Sequence, residues 1–146
     1  LLGRDRLTRG DLAGARQALE LSVAVRGRLA AQVAKQPTVM PENNRLPVLT
    51  PAVALRVGES LTLLGRWAEA REMLLLAHDA PVCAIARETA ETVEYRQALS
   101  ALWLALLEQR EGRAGAAAAY LAEARTAFAG AADQTYLEMK ALLGKL

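Results

Sequence analysis

The stretch Gly65-Arg66-Trp67-Ala68-Glu69-Ala70-Arg71-Glu72-Met73-Leu74 decides the fold of this chain. The glycine is followed by Ala70 five places on, Leu74 nine places on and a small residue, Ala77, twelve places on. Steps of four and three put these side chains on one face of a helix. The same spacing occurs twice more, from Gly10 to Ala15, Leu19 and Ser22, and from Gly112 to Ala117, Leu121 and Ala124. Glycine lets the chain turn sharply between two antiparallel helices. Alanine lets the second helix approach the first, leucine fills the gap one turn later, and the small residue admits the next helix. A helix pair alone cannot bury its apolar flank, so neighbouring pairs must pack together.

Working outward, the pattern predicts helices over Leu1 to about Arg9 and from Asp11, a possible N-cap, to about Lys35. Pro37, Pro41 and Pro47 make Gln36 to Thr50 a loop. Thr50-Pro51 opens a helix to about Leu64, and a second runs from Trp67 to about Ala77. Asp79 or Ala80 then caps a segment with Pro81 in its first turn and no breaker before Glu111. It reads as one long helix or as two with a break near Thr89 to Thr92. An Ala-rich helix follows over 113–129, and Asp133 caps a last helix to about Leu143. The expected architecture is all-α: one domain of helix pairs at about 1–35, 50–78 and 81–130, with a capping helix at 133–144. The chain opens at Leu1 in mid-pattern, which reads as a fragment of a longer protein.

Composition agrees. Aromatic residues are 4%, while Ala and Leu dominate, and both favour helices over sheets. Net charge is only +2, with the two signs interspersed, so the basic stripe of a nucleic-acid binder is missing. The longest apolar run, Ala98 to Leu107, is too short to span a bilayer. The lone Cys83 has no second cysteine for a disulfide or a zinc site, which fits a cytoplasmic setting.

The three-copy pattern resembles the tetratricopeptide repeat, in a long-repeat bacterial variant. Gly58, Leu61, Gly65, Trp67, Ala70, Leu74, Ala77 and Pro81 fall at or beside the signature places, with Leu61 where tyrosine is usual. The third copy keeps Ala105, Gly112, Ala117, Leu121 and Ala124, and the first keeps Gly3, Gly10, Ala15 and Leu19. The corner glycines are 55 and 47 residues apart, against roughly 34 for the family. The stretch from Gly10 to Pro37 resembles the longer repeats of some bacterial signalling proteins.

The resemblance implies a concave groove lined by the first helix of each pair. Its partner-binding residues would be Leu55, Glu59 and Thr62 in the middle pair and Leu102, Leu106, Gln109 and Arg110 in the third, with Arg4 on the rim. Such a groove suits an amphipathic helix or an extended peptide. The last helix, Asp133 to Leu143, could equally fill it.

Little else invites chemistry. His78 beside Asp79 is a conceivable general base, though a histidine in a last helical turn also fits the helix dipole. Cys83 is a conceivable nucleophile, or a small buried thiol. Glu88, Glu91 and Glu94, with Arg87 and Arg96 nearby, read as a solvated, salt-bridged face. Trp67 and Trp103 read as helix–helix packing. No phosphate-loop, dinucleotide, zincin or nucleophile-elbow motif occurs. The expectation is therefore no enzyme and no cofactor, but a module that binds a protein or peptide within a signalling or regulatory protein, with no nucleic-acid or membrane partner. Homo-oligomerisation through the Ala114 to Ala119 face and small-molecule sensing beside Trp103 are the alternatives.

Overall fold

The computed structural model describes residues 2–34, 50–82 and 87–146. They form α1 (Leu2–Thr8), α2 (Leu12–Ala34), α3 (Pro51–Leu63), α4 (Trp67–Asp79), α5 (Ala90–Arg110), α6 (Ala114–Phe128) and α7 (Ala131–Leu143), with no strand among the described residues. The chain is all-α, as its composition implies. The expected proline-rich loop lies, apart from Thr50, outside the described residues. Thr50 caps α3 as expected: its hydroxyl accepts the Val53 N–H at 3.2 Å, with Pro51 in the first turn.

The three glycine corners are built alike. Gly10, Gly65 and Gly112 have φ of +82°, +79° and +77°, where a side chain is strained. Each glycine N–H donates to the carbonyl three residues back, on Leu7, Thr62 and Gln109. The next N–H donates to the carbonyl five back, on Arg6, Leu61 and Glu108, at 2.8–2.9 Å. These are Schellman closures, which satisfy the orphan carbonyls of the first helix while reversing the chain. Beyond them α1 packs on α2, α3 on α4 and α5 on α6, and successive pairs meet through α2–α3 and α4–α5.

The repeated small residues do the work their spacing implies. Ala15, Ala70 and Ala117 are buried, as are Ala77 and Ala124. A Cβ on Gly3 would lie 2.6 Å from Leu19 Cγ, and one on Gly58 would lie 2.7 Å from Leu74 Cγ. In both pairs the leucine occupies the space that glycine leaves. In the third pair Ala105 takes the glycine's place, and Leu121 is only half-buried. The core runs through all three pairs and includes the fully buried Leu7, Leu74, Leu102, Trp103, Leu104 and Met139.

Two boundaries differ from the sequence expectation. Helix α4 runs on to Asp79, and Ala80 to Val82 are not helical, so neither Asp79 nor Ala80 caps a helix at Pro81. The next helix among the described residues begins at Ala90. Thr89 and Thr92 exchange side-chain bonds with each other's backbone N–H in a capping box. The Thr pair is thus a start signal rather than a weak spot in a longer helix. Arg96 reinforces the break. Its buried guanidinium donates to the carbonyls of Ala77, Ala80 and Pro81 at and just beyond the end of α4. The second correction concerns α7, which starts at Ala131 from Gly130. Asp133 lies in its first turn and bonds Arg125 rather than capping.

Candidate functional site

Helix α7 lies against the first helices of the three pairs. It packs on α6 and α5 and also reaches α3 and α1, so it touches the first helix of every pair. Its inward stripe is readable at helical spacing: Ala132, Met139 and Leu142 are buried, and Tyr136 and Leu143 half-buried. Leu137 points outward and is 60% exposed. Burying Met139 and Leu142 contributes roughly 1.5–3 kcal/mol each. Against that, Ala129 at the turn into α7 has φ +48° and ψ −123°, a region natural to glycine, where another residue costs about 1–3 kcal/mol.

Of the residues expected to bind a partner, Leu55, Glu59, Thr62, Leu102 and Leu106 are buried, while Gln109 and Arg110 are exposed. Thr62 donates its hydroxyl to the Gly58 carbonyl at 2.7 Å, within its own helix. Glu59 lies 3.9 Å from Arg4 and 3.7 Å from Arg56, so its pairing with Arg4 links α1 to α3. Three of the seven come together. Leu106, Gln109 and Arg110 of α5 meet Tyr136, Lys140 and Leu143 of α7 around a crevice of about 200 Å³. The Arg110 guanidinium also lies 4.9 Å from the Trp67 ring centroid, a cation–π contact. The mouth of the crevice therefore carries two cations over an apolar floor. Burial raises the Tyr136 hydroxyl above its ordinary pKa, so it stays a neutral donor.

The α7 contribution of Tyr136, Lys140 and Leu143 was not among the residues singled out from sequence. The signal was present: Ala132, Tyr136, Met139 and Leu143 recur at four, three and four, the stripe of a helix that buries one face.

The remaining candidates are structural. Both ring nitrogens of His78 are engaged, Nδ1 with Asp79 at 2.6 Å and Nε2 with Glu123 at 2.7 Å. Tyr120 meets the ring edge-on. Burial disfavours the charged ring, but the bonds to Asp79 and Glu123 outweigh it and hold His78 above the ordinary histidine range. The result is a clasp from α4 to α6 rather than a free general base. Cys83 lies outside the described residues. Glu88 does not share a solvated face with Glu91 and Glu94: its side chain is 7% exposed and forks onto Arg96 at 2.8 and 3.1 Å. A second network closes the Gly112 corner, where Glu108 accepts from Arg113 and Arg71, and Glu111 from both as well. Arg113 first and Arg71 second hold the Glu108 carboxyl below its usual range, against its burial. Trp103 is fully buried and Trp67 partly so, and neither indole N–H has a hydrogen-bond partner among the described residues.

Among the described residues no group of His, Cys, Asp and Glu could hold a metal ion, and no helix is long and apolar enough to cross a membrane. No family model, no curated protein and no solved structure matches this chain.

Proposed function

We propose that this chain is a protein-interaction module of tetratricopeptide-like design, with no catalytic role, that takes an amphipathic helix of a protein partner on the face lined by α1, α3 and α5. One observation carries this reading: that face already holds an amphipathic helix, α7, by an apolar stripe. A surface shaped for one such helix suits another of the same spacing. Arg110 and Lys140 at the crevice mouth favour a partner with acidic residues beside its apolar stripe.

Leu102 and Leu106 are too buried to serve as probes of binding, because a charge at either would disturb the core. The exposed rim is the place to test. A photo-crosslinking residue at Gln109 should trap acidic amphipathic segments, and reversing both Arg110 and Lys140 to glutamate should abolish the trapping. The same crosslinker at Ala118, exposed on α6, serves as the control. Trapping at Gln109 no stronger than at Ala118 would remove this reading.

A further inference from the structure

We infer that α7 is a displaceable occupant of the α1/α3/α5 face, holding it in cis until a partner helix of like chemistry takes its place. This inference rests on the functional reading above, and adds to it that the site is regulated by the chain's own last helix.

Three observations separate α7 from a fixed part of the core. The first is its bonding. Among the described residues, the hydrogen bonds and ion pairs that α7 makes to other helices run from Asp133 to Arg125 of α6, and none reaches α1, α3 or α5. Both residues flank the turn, so this tie retains the start of α7 without holding its length on the face. The second is its hinge. Ala129 is held in a glycine-type conformation, and release of α7 relieves it. Moreover, no side chain caps the helix start. The third is the fit. The crevice beside Leu106 shows that α7 does not fill the space it covers.

The occupant that replaces α7 must therefore match its stripe, with apolar residues at steps of four, three and four. It gains over α7 by placing a carboxylate near Arg110 and by filling the space beside Leu106. Because α7 is tethered through a two-residue turn, its effective concentration is high, on the order of millimolar or above. A partner binds with its intrinsic affinity reduced by the fraction of molecules with the face free.

The test uses the whole chain and a fluorescein-labelled synthetic peptide of residues 131–146, read by anisotropy. Wild-type chain should bind this peptide weakly. Met139→Asp, which weakens the cis helix, should bind it at least about tenfold more tightly, and Ala129→Gly should bind it less tightly than wild type. A chain with Cys83→Ser, Gln109→Cys and Lys140→Cys, bridged by a short bismaleimide, should not bind at all. Hydrogen exchange of wild-type chain supplies a readout that needs no variant: α7 amides should exchange at least about tenfold faster than those in the middle of α5. Equal peptide binding by bridged and unbridged chains overturns the inference, as does exchange in α7 as slow as in α5. If the Gln109 crosslinker traps a partner but the bridged and unbridged chains bind the peptide equally, displacement fails and the functional reading stands. If Gln109 traps nothing and Met139→Asp, still helical by circular dichroism, does not bind the peptide, both fall.

Discussion

Of the junctions that carry the chain from the end of one helix pair to the helix that follows, the second and third are held in opposite ways. Between α4 and α5 the connection is ten residues long, and between α6 and α7 it is two. The longer one has the more firmly held ends. Arg96 there is 3% exposed and binds Glu88 and three carbonyls, while Thr89 and Thr92 cap α5 reciprocally. The shorter one has a strained Ala129, no side-chain cap and an exposed Arg125–Asp133 pair. Firmness here follows from burial, because a buried polar group loses a partner at a cost that water does not make good, about 1–3 kcal/mol and more for charged groups. An exposed pair has water to fall back on.

The comparison breaks most visibly at Arg96. Arg96→Ala removes the buried guanidinium that binds Glu88 and the Ala77, Ala80 and Pro81 carbonyls, and should destabilise the chain by about 3–5 kcal/mol in urea denaturation. Arg96→Lys should recover only part, since one ammonium cannot serve both the carboxylate and the carbonyls. The matching change at the other junction, Arg125→Ala, should leave the midpoint unchanged within error. Next comes Thr89→Ala, which removes the cap of α5 and should cost about 1 kcal/mol. Ala129→Gly should have the opposite sign. It releases the strained backbone and should stabilise by up to about 1 kcal/mol, less the extra freedom glycine gains in the unfolded chain. If it destabilises instead, the turn into α7 is not strained.

The smallest effect is a pH dependence from the α4–α6 clasp. The folded His78 ring is held above its ordinary range by Asp79 and Glu123, against its burial. Its contribution is therefore complete below the unfolded pKa of about 6.5 and is lost as pH rises through the folded value. The urea midpoint should fall as pH rises above about 6.5 and through the folded pKa, and His78→Gln should flatten that slope. A slope unchanged by the substitution would show that the clasp does not titrate in this range.

What was legible in the sequence follows from what kind of signal each feature leaves. The corners were legible because Gly10, Gly65 and Gly112 answer a backbone need that other residues meet only with strain, and because Ala70 and Leu74 must follow at fixed helical steps. The start of α5 was half legible. Thr89 and Thr92 read as a weak spot, and only Arg96, from nineteen residues beyond Ala77, shows why the chain does not continue α4 through Pro81. A long-range guanidinium clamp leaves no local pattern. The face was legible as a set of helices but not in its state. Leu102 and Leu106 look the same in sequence whether they floor an open groove or lie beneath another helix. What covers Leu106 is a stripe at Tyr136 and Leu143 that reads equally well as a terminal cap.

The Schellman bonds at Gly10, Gly65 and Gly112 run between main-chain atoms, while the helices that meet at Gly65 and Gly112 range from 13 to 21 residues. A bend closed by backbone bonds within a few residues of its glycine places no demand on the length of the arms it joins. Reach and curvature are thereby separate design variables in this chain. Adding two helical turns, about seven residues, at the corner-distal ends of both arms would extend a hairpin sideways without altering how it reverses. A longer shelf for a longer guest is then available to engineering, or to descent with modification, by insertion far from any glycine.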